Sequence, residues 1–258
     1  MEKFVLAKVY VNQAIDYEHR FLTLHCPGLL DDFHPGQFVS IRCNNGGFDP
    51  LLRRPFSIAY VDYNEKTIGI LYRIIGRGTL WLSKRYPGEY VDLLGPLGKG
   101  FQLPSSGVHN IAVVGRGTGI ASLLALSKLA ITKGYKCYAY FSFSSKVLGE
   151  WILNNFKMFF EKVIISTDDR IIISDILAND LRNQYIQVSK IYVCGSKRLI
   201  LGVRNICSKY HIPAEVSIET FMGCGVGLCK GCAVRLRSGT YAYACIDGPV
   251  FDVEEVEI

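Results

Sequence analysis

The sequence has no hydrophobic run long enough to cross a membrane and no segment typical of a secretion signal. Its most apolar helical stretch, IASLLALSKLAI, is shorter than the roughly 20 residues that a spanning helix needs. The first residues, MEKFVLAKVYVNQ, interrupt their apolar positions with Glu2, Lys3 and Lys8, whereas a signal peptide needs an unbroken apolar core. These absences predict a cytoplasmic protein.

The sequence also lacks charge blocks, internal repeats and low-complexity tracts. The formal net charge is +6, but the lysines and arginines are scattered, so no segment is typical of a nucleic-acid-binding arm. Hydrophobic residues make up 49% of the 258 residues and charged residues 20%, which is the composition of a globular protein rather than a disordered one. This length accommodates one or two globular domains and a small appendage.

Disulfide bonds are not expected, although the chain has nine cysteines, because the cytoplasm keeps thiols reduced. Five of the cysteines are dispersed, mostly in apolar surroundings, and free cysteine is a common small core residue. These five are Cys26, Cys43, Cys137, Cys194 and Cys207. The other four lie within 22 residues of one another near the carboxyl terminus and need a different explanation.

Three segments of different pattern divide the chain. Residues 1–100 contain six short β-branched or aromatic runs separated by turns, which predict an antiparallel β-barrel with one short helix after Gly78. Residues 101–218 alternate strands with helices, as in a Rossmann-like α/β domain with a parallel sheet, and FQLPSSG at 101–107 is the expected linker. Residues 219–258 are rich in Gly and Cys and are expected to form a small third subdomain, in which CAVRLRSG and TYAYAC are predicted to be a short pair of strands.

The four clustered cysteines have the spacing of a plant-type 2Fe–2S site. Cys224, Cys229 and Cys232 follow the pattern C-x4-C-x2-C, and Cys245 comes after twelve intervening residues. Glycines between them allow the sharp turns that wrap three thiolates around one side of a cluster. The alternative is a structural zinc site, but zinc ligands usually come as two CxxC pairs. The spacing therefore favours a cluster held by these four cysteines.

A second pattern, in the barrel segment, suits a flavin dinucleotide. Arg54, Pro55, Phe56 and Ser57 begin a strand, where the guanidinium can pair with a pyrophosphate and the hydroxyl can hydrogen-bond a flavin ring. Further elements of the same kind come later in the segment. Leu71, Tyr72 and Arg73 end a long strand, and Gly78 and Thr79 begin the short helix, whose backbone amides can bind an anion.

A third pattern follows the first strand of the α/β segment. The turn VGRGTGI contains Gly115, Gly117, Thr118 and Gly119 and leads into a helix, which is the context of a nucleotide-binding turn. It departs from G-x-G-x-x-G, and the next strand ends SFSSK, without the acidic residue that NAD-binding units place there. Cys194 and Gly195 supply a second turn at the same expected edge of the sheet, where ligands gather in open α/β folds.

Together these motifs resemble a known family. The chain resembles the ferredoxin reductase superfamily in four motifs: RRPFS, the helix that begins at Gly78 and Thr79, GRGTGIA and YVCGS. Its carboxyl-terminal motifs, GCGVGLCKGCAVRL and YACIDGPVF, resemble those of the electron-transfer subunits of class B dihydroorotate dehydrogenases. The resemblance covers nearly the whole chain. It implies one FAD, one 2Fe–2S cluster and NAD as electron acceptor. It also implies a catalytic partner subunit that carries FMN and oxidises dihydroorotate in pyrimidine biosynthesis, in a heterotetramer of two of each subunit.

The resemblance also assigns residues. FAD contacts are expected at 54–57, 71–73, 78 and 79, NAD contacts at the two glycine turns, and cluster ligands at the four cysteines. Electron transfer of this kind needs no acid–base or nucleophilic set, so no catalytic residue is predicted. The chain departs from the family where Arg116 replaces a glycine and Ser196 a proline. Two other hypotheses remain: a subunit of another ferredoxin–NAD(P) reductase-type or hydrogenase-linked complex, and a zinc-stabilised binding module.

Overall fold

The computed structural model describes residues 3–44, 46–105, 108–167 and 171–258, and their amino-terminal part is a curled antiparallel sheet. Its strands pair in the order β4-β3-β7-β1-β2-β6-β5. The curl brings the Phe56 ring on the edge strand β4 to 5.8 Å from the Tyr72 ring on β6, between centroids, so the sheet is a half-barrel around its own apolar core. The elements are β1 (Lys3–Ala14), β2 (His19–His25), β3 (Phe38–Ile41), β4 (Arg54–Ser57), β5 (Tyr60–Asp62), β6 (Thr67–Arg73), helix α1 (Arg77–Ser83) and β7 (Tyr90–Leu97).

The run PFSIAYV, one of the six strands predicted in residues 1–100, is divided into β4 and β5. The backbone N–H of Ile58 donates to the carbonyl of Gln37, next to β3, whereas the N–H of Ala59 donates to the carbonyl of Gly69 on β6. The chain therefore changes pairing partner between these two residues, and it leaves one edge of the sheet to join the other.

The middle of the chain is a parallel α/β sheet. Five parallel strands lie in the order β10-β9-β8-β11-β12, with helices between them in sequence. Its elements are β8 (Asn110–Arg116), a 3-10 turn (Gly117–Ile120), α2 (Ala121–Thr132), β9 (Lys136–Ser142), α3 (Lys146–Phe156), a second 3-10 turn (Lys157–Phe159), β10 (Lys162–Ser166), α4 (Ile173–Arg182), β11 (Lys190–Cys194), α5 (Lys197–Tyr210) and β12 (Ala214–Ser217). Of the described helices, none is long and apolar enough to cross a membrane.

The segment after residue 218 leaves this sheet and then returns to it. Strands β13 (Ala233–Arg235) and β14 (Tyr241–Tyr243) form the short pair that the sequence predicts. Strand β15 (Val250–Asp252) pairs antiparallel with β12, where Val216 stands opposite Phe251. The small subdomain thus shares a sheet and an apolar core with the α/β half. The boundaries at 100 and 218 remain predictions, and residues 106 and 107 of the expected linker lie outside the described residues, as do Met1 and Glu2.

Asp16 makes one of the polar contacts that join the half-barrel to the α/β half. The carboxylate of Asp16, in the β1–β2 turn, accepts a hydrogen bond of 2.6 Å from the Ser145 hydroxyl, which also caps α3. It also accepts from the backbone N–H groups of Glu18 and His19, and from His19 Nδ1. Burial raises the pKa of Asp16, but these hydrogen bonds outweigh it and hold the pKa at about 2.

Candidate functional site

The four predicted cluster cysteines lie together in the loop after β12 and form two pairs. Cys224 and Cys229 are in mutual contact, since the backbone N–H of each lies within 3.4 Å of the other's sulfur. The sulfurs of Cys232 and Cys245 are 3.3 Å apart. Cys229 is exposed, whereas Cys232 and Cys245 are buried. The loop therefore presents one sulfur pair toward solvent and the other toward the core.

Backbone amides point at these sulfurs. The N–H of Gly227 donates to Cys245 Sγ at 3.1 Å, and the N–H groups of Val226 and Gly231 donate to the other pair at 3.5 Å. Gly225 and Gly227 have φ of +74° and +82°, in the left-handed region that glycine adopts without strain. Amides directed at thiolate sulfurs are the contacts that stabilise and tune an iron–sulfur cluster.

The electrostatics of the two pairs differ. Hydrogen bonds from the backbone N–H groups of Cys229 and Val226 lower the pKa of Cys224 to about 6, so its thiolate is favoured. Burial raises the pKa of Cys245 to about 12, with a further contribution from the adjacent Cys232. The loop therefore favours a thiolate at Cys224 and a protonated thiol at Cys245.

The donor set fits a two-iron cluster. Four thiols in two pairs supply two sulfur ligands to each of two irons, and the directed amides supply the surrounding hydrogen bonds. Within the described ranges, no three or more His, Cys, Asp or Glu side chains converge as the ligands of a single metal ion would. The grouping two by two corresponds to a cluster of two irons better than to a single tetrahedral zinc.

The predicted flavin residues of β4 lie against the start of α1. Gly78 packs beneath the side chain of Arg54, because a Cβ added at Gly78 would stand 2.9 Å from Arg54 Nε. The Thr79 hydroxyl accepts from the backbone N–H groups of Ile75 and Gly76 and so shapes the turn before the helix. This cradle brings a guanidinium and a helix amino end together, which is a fitting arrangement for a pyrophosphate.

The other predicted flavin residues lie differently. The Tyr72 side chain is buried in the half-barrel core and its hydroxyl donates to Asn12 Oδ1 at 3.0 Å. Leu71 is buried on the opposite side of β6, against the α/β half. Arg73 is exposed and pairs with Glu18 at 2.8 Å. A ligand at the surface would therefore meet Leu71 and Tyr72 through the backbone rather than through their side chains.

The cluster loop and the flavin strand are neighbours. A Cβ added at Gly225 would lie 3.8 Å from the Ser40 hydroxyl oxygen and 3.7 Å from a methyl carbon of Leu97. Ser40, on β3, stands opposite Pro55 of β4 in the sheet register. The fold thus places the Gly225 side of the cysteine loop against the strand next to the one that carries Arg54, Pro55, Phe56 and Ser57.

The two predicted nucleotide turns meet at the carboxyl edge of the parallel sheet. Cys194 of β11 stands opposite Gly115 of β8, and a Cβ on Gly195 would approach the Arg116 Cβ to 3.0 Å. Gly117 has φ of +58°, and Thr118 and Gly119 complete the 3-10 turn before α2.

Sequence reasoning missed one residue of this edge, Glu219. A Cβ on Gly119 would lie 3.0 Å from both Glu219 Oε1 and Cys194 Sγ, and these two atoms are 3.9 Å apart. Glu219 is reached by solvent, yet the protein on its Cys194 side desolvates the carboxyl group and raises its pKa. The sequence did contain a signal for Glu219, namely an acidic residue shortly after a strand. It was missed because Glu219 is the first residue of the predicted third segment and was not considered with the α/β segment.

Comparison with known proteins agrees with this geometry. A family model described as the iron-sulfur cluster binding domain of dihydroorotate dehydrogenase B matches residues 219–257. The chain is 33% identical to the dihydroorotate dehydrogenase B (NAD(+)) electron transfer subunit of Desulforamulus reducens, over 97% of each chain. It is 32% identical to the same subunit of Caldanaerobacter subterraneus, again over 97% of each.

The chain belongs to the family of dihydroorotate dehydrogenase B electron transfer subunits. This confirms the family resemblance carried by the motifs. The fold is likewise that of a solved NADH-dependent reduced ferredoxin-NADP oxidoreductase, with a TM-score of 0.84 and 25% identity over 98% of this chain and 90% of that one. The predicted fold class, a β-barrel with an α/β domain and a small iron–sulfur subdomain, is confirmed by this likeness and by the family model.

Proposed function

We propose that the protein is the electron-transfer subunit of an NAD-dependent dihydroorotate dehydrogenase. In this function it passes electrons from the FMN of a catalytic subunit through a 2Fe–2S cluster and FAD to NAD, in pyrimidine biosynthesis. One observation carries the proposal: four thiols grouped two by two, with amides directed at their sulfurs, lie in the segment that the dihydroorotate dehydrogenase B iron–sulfur family model matches.

The cofactors supply the redox chemistry, because a flavin exchanges electrons singly or in pairs and therefore connects a cluster to a nicotinamide. The chain's own residues bind and orient them. Arg54 and the amino end of α1 would hold the FAD pyrophosphate, and the four cysteines would hold the cluster. The glycine turns at the ends of β8 and β11 would hold NAD. The packing of Gly225 on Ser40 supports a short path between cluster and flavin.

The catalytic partner is proposed to dock at the cluster loop. Leu228, beside the exposed Cys229 in the sequence, is 82% exposed, and Phe221, three residues before Cys224, is 96% exposed. Ile246 contacts the loop at Gly227 and is 42% exposed. We call these three apolar side chains the cluster-loop patch. A partner that covers it would bring its FMN close to the outer sulfur pair, and two such pairs would make the expected heterotetramer.

The decisive experiment combines the chain with its FMN-containing partner. Copurified subunits are expected to reduce NAD when dihydroorotate is added, and the isolated chain is expected to show flavin and iron–sulfur absorption. A complex that forms with both cofactors, yet passes no electrons from dihydroorotate to NAD, would contradict the proposal.

A second function is supported by the fold of the whole chain. The solved relative with a TM-score of 0.84 is an NADH-dependent reduced ferredoxin-NADP oxidoreductase, linked by its description to flavin-based electron bifurcation. This favours, as the second candidate, a subunit of a ferredoxin–NAD(P) reductase-type complex. If reduced ferredoxin reduces the chain and the dihydroorotate-oxidising partner does not, the ferredoxin–NAD(P) reductase-type function is favoured over the dihydroorotate dehydrogenase function.

A further inference from the structure

Lys230 lies inside the cysteine loop, directly after Cys229 and two residues before Cys232. Its φ is +57°, in the left-handed region that glycine adopts without strain and that a lysine occupies at a cost. This turn of the backbone precedes the N–H of Gly231, which points at Cys229 Sγ at 3.5 Å. A glycine at position 230 would make the same turn more easily, so the backbone does not account for a lysine there.

The Lys230 side chain is held by an aromatic ring of the same subdomain. Its ammonium nitrogen lies 5.6 Å from the centre of the Tyr243 ring, within the range of a cation–π contact. Tyr243 ends β14, stands opposite Ala233, and packs against the apolar cluster that contains Cys232 and Cys245. The contact therefore ties a positive charge from the loop of Cys229 to the strand that leads into Cys245.

Within the described part of the chain, the ammonium of Lys230 forms no ion pair with a carboxylate. The nearby arginines of β13 and the turn after it, Arg235 and Arg237, both pair with glutamates. The carboxylate of Asp247 accepts a hydrogen bond from the backbone N–H of Tyr243 instead. The field of Lys230 therefore remains available to a negatively charged group bound in the loop.

A cation at this place acts on the charge change of a two-iron cluster. Four thiolates give such a cluster a net negative charge, and reduction adds one electron, and hence one further negative charge, without making or breaking a bond. A positive charge nearby stabilises the reduced form more than the oxidised form, because the attraction grows with the negative charge. The reduction potential is therefore higher, and the cluster accepts an electron more readily.

We propose that Lys230 raises the reduction potential of the cluster and so favours the entry of an electron from the FMN-containing partner. Its role is electrostatic, since it neither ligates the cluster nor transfers a proton. The inference rests on the proposed function, because it needs the cluster that the four cysteines would hold. It adds to that function a residue whose charge, rather than its packing, matters.

The test measures the midpoint potential of the cluster in the intact chain with its cofactors, by a redox titration followed by electron paramagnetic resonance. Lys230→Gln removes the charge and keeps a polar side chain. At a fixed potential it is expected to lower the ratio of reduced to oxidised cluster about threefold, which is about 28 mV for a one-electron couple. Lys230→Arg keeps the charge and should retain the wild-type midpoint.

Lys66→Gln is the matched control. Lys66 is also an exposed lysine in left-handed backbone, with φ of +52°, but it lies in the turn before β6. This variant should leave the cluster midpoint unchanged. Lys230→Gly should shift the midpoint as Lys230→Gln does and should keep its iron, because glycine adopts the turn without strain.

Three results overturn the inference: an unchanged midpoint in Lys230→Gln, an equal shift in Lys66→Gln, or loss of iron from Lys230→Gly, which would show a structural role. In each case the proposed function stands if the wild-type chain holds a two-iron cluster that dihydroorotate reduces through the partner. A wild-type chain that assembles no two-iron cluster contradicts both the inference and the proposed function.

Discussion

The residues of the cluster loop are not equivalent, because exposure and hydrogen bonding differ from one sulfur to the next. Cys229 faces solvent and shares amide hydrogen bonds with Cys224, whereas Cys232 and Cys245 face the core that α5 and β12 also line. Loss of an outer sulfur should therefore disturb the cluster more than the fold, which makes the outer pair the informative place to substitute.

Cys229→Ser is expected to abolish stable cluster binding, because serine cannot replace the thiolate in a loop shaped around sulfur. Iron content per chain should fall from about two toward zero, and the iron–sulfur bands should disappear while flavin absorption remains. Cys26→Ser is the control, since that thiol is buried in the half-barrel core, which contains none of the four cluster cysteines. Zinc in place of iron in the wild-type chain would refute the cluster assignment.

Gly78→Ala is expected to lower FAD affinity about tenfold, because the added methyl group would lie 2.9 Å from Arg54 Nε and displace the guanidinium. The flavin retained after gel filtration measures the effect. Gly76→Ala is the matched control two residues earlier, where an added Cβ meets no atom within 4 Å. If both variants kept the flavin equally well, Arg54 and Gly78 would not form the predicted cradle.

Among the elements, the β1–β2 turn and the amino end of α3 are coupled through Asp16 and Ser145. The folded pKa of Asp16, about 2, lies below its usual value of 3.8. The ionised form therefore stabilises the folded state above about pH 4, and this contribution is lost as the pH falls from about 4 to 2. Partial solvation limits it to about 1 kcal/mol.

Asp16→Asn is expected to remove this pH dependence. The difference in free energy of unfolding between wild type and variant, measured with urea, should shrink as the pH is lowered from 6 to about 3.5. Ser145→Ala keeps the carboxylate but loses the cap and one hydrogen bond, so it should destabilise by about 1 kcal/mol at neutral pH. A difference that stays constant with pH would show that Asp16 is not held ionised by this contact.

Regular patterns in the sequence predicted most of the helices and strands. Where a strand ends and another begins depended in part on pairing with distant strands. The strand run PFSIAYV has no break in its composition, so its division at Ile58 and Ala59 depends on two distant strands. Helix α4 and strand β12 were not predicted, because α4 is only ten residues long and β12 only four.

The sequence also predicted only part of the candidate site, namely the part that local patterns define. Cysteine spacing is a local signal, so the four thiols were found without the fold. The juxtaposition of Glu219 with Cys194 depends on the order of strands in the sheet, which no local pattern contains. The burial of the Tyr72 ring depends on the curl of the half-barrel, so the side chain that suited a flavin by chemistry points into the core instead.

At the scale of the whole molecule, the cluster segment and the α/β half share one core. Phe251 on β15 is buried, stands opposite Val216, and belongs to the apolar cluster that includes Cys232 and Cys245.

Phe251→Ala is expected to destabilise the chain by about 3 to 5 kcal/mol. The unfolding transition followed by helical circular dichroism and the one followed by cluster absorption should move together to milder conditions. Phe48→Ala, at an 85% exposed site, should change neither. Separate transitions for the two signals would contradict a shared core.

The cluster-loop patch leads to a prediction about assembly. Leu228→Glu is expected to weaken capture of the catalytic partner at least tenfold, because a charge would be buried at the contact. Cluster and flavin content should be unchanged. Leu6→Glu, on an exposed site of β1, is the control for a new surface charge. Full activity of the complex with Leu228→Glu would place the docking surface elsewhere.

The pairing of β12 with β15 also has an evolutionary consequence. Ser217 and Val250 are sheet partners, so residues 218–249 leave the sheet and re-enter it at adjacent positions. Whatever length of chain is inserted between those two points, the strands on either side keep their places. The cluster-bearing stretch therefore has the connectivity of an exchangeable insert. A lineage could lengthen or shorten its exposed turns, whereas a replacement would have to fill the shared core that Val234 and Ala244 occupy.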